Sequence, residues 1–213
     1  MKYSTYLFDL DGTLTDSGLG IINAVKYSLK KSGDEIPPQS VLLKFIGPPL
    51  WESFESLCGF SKEKAETAVK YYREYYRETG LFENTVYDGI PELLKKLKDS
   101  GKQLAVATSK PEPFSVRILE HFGLADYFDS ITGSNLDGTR KEKSEVVACA
   151  LERCGVTDKS SAVMIGDRKH DIIGAHSNGL DCIYVLYGYG NSDEAKEHNA
   201  QYIVNSPAEI ADI

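Results

Sequence analysis

The chain has 213 residues, of which 41% are apolar and 26% charged, proportions that support a packed core and argue against wholesale disorder. With 24 basic and 32 acidic side chains the net charge is -8, which weighs against a general nucleic-acid binder. No apolar run approaches the roughly 20 residues of a membrane-spanning helix, and the first aspartate comes before any signal-like apolar segment can develop, so a cytoplasmic protein is expected.

Residues 4 to 10 read as a buried strand ending at Asp9, with a second carboxylate, Asp11, beside Gly12 and Thr13. Two such charges about 4 Å apart repel by roughly 4 kcal/mol at an effective dielectric near 20, which favours a shared proton or a bound cation. The chemistry this suggests is metal-assisted attack by a carboxylate. From residue 17 to 82 no strand is evident, and helical patterns near 17–32, 39–46, 50–58 and 61–79 form an insertion after the first strand. In its last helix Ala65, Ala68, Val69, Tyr72 and Tyr76 share one stripe, so the Tyr-rich run is packing surface; Trp51 and Phe54 are read the same way. The chain's exit near residues 15–18 and its return near 83–86 are candidate hinges.

Beyond the insertion, Ile90, Leu93, Leu94 and Leu97 mark a helix, and β-type runs follow at 103–108, 128–132, 161–166, 182–186 and, more weakly, 201–204. Val146, Val147, Ala150 and Leu151 mark a further helix between them. Alternating strands and helices predict an α/β fold, a parallel sheet covered on both sides, with ligands at the carboxyl ends of its strands. The cysteines, Cys58, Cys149, Cys154 and Cys182, have no zinc-site spacing, and Cys149 and Cys154 read as buried thiols. His121, His170, His176 and His198 form no metal-type cluster, and His170 reads as an exposed residue at a helix start.

Four groups of polar residues fall at strand ends. The first is Asp9 with Asp11. The second is Thr108, Ser109 and Lys110, where the strand is expected to enter a helix with Pro111 in its first turn and so to offer a hydroxyl and free amides to an anion. In the third, a basic loop, Ser144 reads as a helix start and leaves Lys143 just before it, with Arg140 and Lys141 as competitors for its role. In the fourth, Asp167 and Asp171 stand four residues apart at the start of a helix and can face one side. Hard oxygen ligands of this kind select magnesium over softer metals.

In this order, FDLDGTLTD, ATSK, the lysine before SEVVACAL and GDRKHD resemble the four motifs of the haloacid dehalogenase superfamily of phosphatases, and the chain is similar to its phosphoglycolate phosphatase-like branch. The resemblance implies a Rossmann-like core, residues 1–16 and 83–213, and a movable helical cap, residues 17–82. It implies that Asp9 is a nucleophile that becomes a phosphoaspartate, and that Asp11 protonates the leaving oxygen and later activates water. Thr108 and Ser109 would hold the phosphoryl group, and Lys143 would offset charge on nucleophile and phosphate. Mg2+ would be held by Asp9, Asp167 and the carbonyl of Asp11, with Asp171 ligating directly or through water. Lys44, Gly47 and Pro48 resemble a substrate-facing cap loop.

The expected activity is Mg2+-dependent hydrolysis of small phosphorylated metabolites, by a monomer or homodimer with no membrane or nucleic-acid partner. Nucleoside monophosphates, sugar phosphates and pyrophosphate are alternatives to phosphoglycolate. A sugar-phosphate mutase would use the same phosphoaspartate, and a catalytically silent binding module would retain only the scaffold. A dehalogenase needs no acid at position 11, so Asp11 argues against that reading.

Overall fold

The computed structural model describes residues 2–137 and 139–213. The chain falls into two units, one of Met1–Thr15 with Val86–Ile213 and one of Asp16–Thr85. It passes between them within β2 (Thr15–Asp16) and β3 (Thr85–Val86), the strands of a small two-stranded sheet.

The first unit is built on β1 (Thr5–Phe8), β4 (Gln103–Pro111), β5 (Ser130–Ser134), β6 (Ala162–Gly166), β7 (Asp181–Val185) and β8 (Tyr202–Val204). Their spatial order is β5-β4-β1-β6-β7-β8 and every pair is parallel. This is the parallel α/β sheet expected from the strand and helix alternation, and the Rossmann-like core that the resemblance implies. β1 lies between β4 and β6, so helices cover both its faces; that is why Tyr6, Leu7 and Phe8 are a continuous apolar run rather than an alternating one. Phe8 is in register with Val106 on one side and Ile165 on the other, which delivers Asp9 to the carboxyl edge at the middle of the sheet.

Leu7, Ala105, Val146, Val147, Met164, Ile172 and Tyr184 form one buried cluster between sheet and helices. Each fully buried branched side chain there contributes about 1.5–3 kcal/mol through removal of apolar surface from water. The helices of this unit are α5 (Ile90–Asp99), α6 (Glu112–His121), α7 (Lys143–Arg153), α8 (Lys169–Ser177), α9 (Ser192–Glu197) and α10 (Pro207–Ile210). Ile90, Leu93, Leu94 and Leu97 are the buried face of α5, as their spacing predicts.

The second unit contains α1 (Gly18–Ser32), α2 (Gln39–Leu42), α3 (Leu50–Cys58) and α4 (Lys62–Tyr75), the last continuing into a π-helical turn at Tyr76–Gly80. Ala65, Ala68, Tyr72 and Tyr76 are buried, the two tyrosines stacked at 5.1 Å, and Ser28 Oγ donates to the Ala68 carbonyl at 2.7 Å. Phe54 is fully buried against Phe45 and Phe60. Trp51 departs from the packing expected of it and is 41% exposed: the buried residues of α3 are Ser53 and Phe54, and Trp51, in the first turn, falls to one side of the face they define. Cys149 and Cys154 are half-buried rather than buried, the first on α7 beside its apolar stripe and the second just past the helix end, and His170 is half-buried rather than exposed. No helix among the described residues is long and apolar enough to cross a membrane.

Candidate active site

Asp9 follows β1 and keeps strand geometry, its N–H donating to the Ile165 carbonyl at 2.9 Å. Gly12 then turns the chain with φ +83°, a left-handed conformation that suits glycine. Space imposes a second demand: a Cβ at Gly12 would lie 2.2 Å from Asp167 Oδ2. The turn is therefore pressed directly against the acid that leaves β6.

The carboxylates of Asp9, Asp167 and Asp171 bring ligand oxygens within 4.8 Å of one another. Lys143 Nζ bridges two of them, at 2.7 Å from Asp9 Oδ1 and 2.7 Å from Asp171 Oδ1. Both oxygens of Asp171 are committed, since Oδ2 accepts from the Arg168 N–H at 3.0 Å at the start of α8. Burial pushes Asp9 up to about 6, with Lys143 opposing the shift and Asp171 and Asp11 adding to it. Burial raises Asp167 well above the usual carboxylate range as well, reinforced by Asp171 and Asp9. Burial works against the Lys143 ammonium, yet Asp171 and Asp9 outweigh it and hold its pKa above that of an ordinary lysine. Fully ionised, the three carboxylates beside this one ammonium would carry an excess of two negative charges. An all-oxygen set with that excess fits a hard divalent cation.

Asp11 points to a different partner. Its Oδ2 pairs with Lys110 Nζ at 2.7 Å, and its Oδ1 is buried with no hydrogen-bond partner among the described residues. Lys110 belongs to the second motif but had no assigned role, because only the pairing of β1 with β4 puts the two residues side by side. Thr108 is buried, and its Oγ1 accepts from the Lys110 N–H at 3.2 Å. Ser109 is exposed, and its carbonyl accepts from Ser134 Oγ at 2.8 Å.

Two local expectations need correction. β4 does not stop at residue 108 but runs to Pro111, and α6 starts only at Glu112, so Thr108 and Ser109 lie on strand backbone and not at a helix N-terminus. Proline disfavours helical backbone at the residue before it, which keeps Lys110 extended and delays the helix. Lys143 is likewise the first residue of α7 rather than the one before its cap. Glu142 is the cap, and its N–H is taken by Glu145 Oε2 at 3.1 Å, which places the cap two residues earlier than Ser144.

Arg140 is engaged away from the carboxylates: it donates to the Gly133 carbonyl at 2.8 Å, to Asn135 Oδ1 at 2.9 Å and to Glu112 Oε2 at 2.8 Å. Lys141 is exposed. Lys44 and Gly47 are exposed and Pro48 half-buried on the helical unit, with Gly47 at φ +105°.

The lysine-bridged acidic cluster at the carboxyl edge of the parallel sheet falls within residues 6–185, which match the haloacid dehalogenase-like hydrolase family; the chain belongs to that family. It is an enzyme, one of the family's phosphatases. A Pseudomonas aeruginosa relative named 5'-nucleotidase is 47% identical over 198 residues, 93% of this chain and 89% of that protein. A Clostridium acetobutylicum crystal structure, described as a predicted phosphatase, superposes with a TM-score of 0.94 at 51% identity, covering 100% of this chain and 98% of the other. Mycobacterium tuberculosis PtkA, named a tyrosine-protein kinase, is 42% identical over 187 residues; the match takes in 88% of this chain and 63% of PtkA.

Proposed function

We propose that the protein is a magnesium-dependent hydrolase of small phosphomonoesters that works through a phosphoaspartate on Asp9. The observation that carries this reading is the buried contact of Lys143 with Asp9 and Asp171, beside Asp167. An anionic carboxylate cannot readily approach an anionic phosphate unless positive charge screens the pair. Asp9, Asp167 and Asp171 would hold Mg2+, which when bound supplies part of that screening.

Lys143 offsets the charge of the Asp9 carboxylate and steers it toward phosphorus. Asp9 Oδ attacks, the bond from phosphorus to the ester oxygen breaks, and a proton on Asp11 passes to the departing oxygen. The unpartnered Asp11 Oδ1 is the oxygen available for that transfer, Oδ2 being held by Lys110. In the second half Asp11 removes a proton from water as its oxygen attacks phosphorus, which releases inorganic phosphate and restores the Asp9 carboxylate. Thr108 Oγ1, in the carboxyl-terminal half of β4, orients the phosphoryl oxygens with help from the Ser109 backbone.

The helical unit, residues 16–85, would act as a cap that selects the alcohol portion of the ester through Lys44, Gly47 and Pro48. The similarity to a protein named 5'-nucleotidase favours nucleoside 5'-monophosphates as substrates, ahead of phosphoglycolate. A panel of nucleoside monophosphates, phosphoglycolate, sugar phosphates and pyrophosphate, assayed with Mg2+ and ranked by kcat/KM, tests both levels of the proposal. Phosphate release abolished by Asp9→Asn supports the chemistry; release from no ester, or undiminished release in that variant, refutes it.

A further inference from the structure

The segment Leu186–Asn191, reading LYGYGN, starts where the family match ends and belongs to none of the four motifs. We infer that this loop positions the Asp167 carboxylate and the turn after β1 for cation binding, with Tyr187 as the positioning residue. The inference rests on the proposal that Asp9, Asp167 and Asp171 hold a divalent cation.

Asp167 is fully buried, and each of its oxygens is held separately. Oδ2 accepts from the Tyr189 N–H at 2.8 Å, and Oδ1 is 3.4 Å from the donating Thr13 hydroxyl. Thr13 is secured in turn by Tyr187, whose hydroxyl donates to the Thr13 carbonyl at 3.0 Å. Gly188 lies between the two tyrosines, and a Cβ there would fall 2.2 Å from the Gly12 carbonyl oxygen and 2.5 Å from Asp167 Cβ. The Tyr187 ring packs edge-on against Tyr87 at 5.1 Å, and the Tyr87 N–H donates to the Leu14 carbonyl at 3.2 Å. The turn that follows Asp9 and Asp11 is thus gripped at Thr13 and Leu14 by two tyrosine residues in mutual contact. Partners outside a metal's immediate ligands raise affinity by fixing ligand orientation before the ion arrives, and their removal typically weakens binding by about 10–100-fold.

Tyr187→Phe deletes one hydroxyl and keeps the ring against Tyr87. Chelator-stripped full-length protein is titrated with Mn2+ as a spin probe for the oxygen-ligand site, and the free ion is read by electron paramagnetic resonance. The expected result is about tenfold weaker Mn2+ binding, with kcat at saturating Mg2+ within about threefold of the parent and the Mg2+ concentration for half-maximal rate raised in parallel. Gly188→Ala should weaken binding at least as much. Asp167→Asn serves as reference: if it abolishes binding while Tyr187→Phe changes the dissociation constant less than twofold, the loop inference is overturned and the cation site stands. If Asp167→Asn binds Mn2+ like the parent, both fall. A loss in Tyr187→Phe that vanishes when binding is expressed per folded molecule, from the thermal unfolding curve, also overturns the inference.

Discussion

Replacing Lys143 by methionine removes a buried ammonium and keeps most of its volume. Two contacts of 2.7 Å are lost, each worth about 6 kcal/mol of Coulomb attraction at an effective dielectric near 20. Desolvation of the ammonium offsets several kcal/mol of this, and breaking a buried pair typically leaves a net cost of about 3–5 kcal/mol. That cost should appear in metal-free protein at pH 8 as a lower urea midpoint. It should shrink at pH 5, because without lysine the carboxylates take up protons in the folded state and shed their repulsion. In turnover, loss of a preorganised cation beside the developing charge should reduce kcat about 10²–10³-fold. Equilibrium unfolding in urea at both pH values, with phosphate release from p-nitrophenyl phosphate, measures the two effects. A variant within about 1 kcal/mol of the parent at pH 8, or within tenfold in kcat, would refute the reasoning.

Gly12→Ala should abolish cation binding and lower the melting temperature by several degrees, since it forces a Cβ into Asp167 and demands φ +83° of a non-glycine residue; calorimetry with and without Mg2+ checks this. Arg140→Met should lose about 1–3 kcal/mol of stability from its broken contacts with Gly133, Asn135 and Glu112 and keep kcat within about fivefold, so a loss as large as that of Lys143→Met would overturn the division of roles between them. In metal-free protein Asp9 and Asp167 have raised folded pKa values, so near neutrality the folded state binds more protons than the unfolded chain. Stability should therefore fall as pH rises through about 6, and Mg2+ should flatten the fall; urea midpoints at pH 5.5 and 7.5 that are equal, or that rise with pH, would contradict the arrangement of these acids.

The sheet was legible because β1, β4, β6 and β7 are buried on both faces, which writes them into the chain as unbroken apolar runs. The helices of the second unit were legible from their periodicity. Asp9, Asp167, Asp171 and Lys143 stood out because charged residues directly follow buried strands or stand at the start of a helix at the same edge. What could not be read was who faces whom across strands. The pair of Lys110 with Asp11 needs the β1–β4 register, and the loop around Asp167 needs β6 beside β7. Tyr187, Gly188 and Tyr189 carry no charge and follow a strand as any turn would. Their close fit against Gly12 is the product of tertiary packing and leaves no periodic trace in the sequence. Glu142 as a helix cap escaped notice for a different reason, glutamate being a less frequent cap than the serine two positions later.

The central claim is that Asp9 carries the phosphoryl group during turnover. Quenching the enzyme during steady-state hydrolysis and reducing it with borohydride converts an acyl phosphate to homoserine, which peptide mass spectrometry locates. Homoserine at position 9, absent without substrate, is the predicted result; reduction at another carboxylate, or at none while phosphate is being released, would contradict the account.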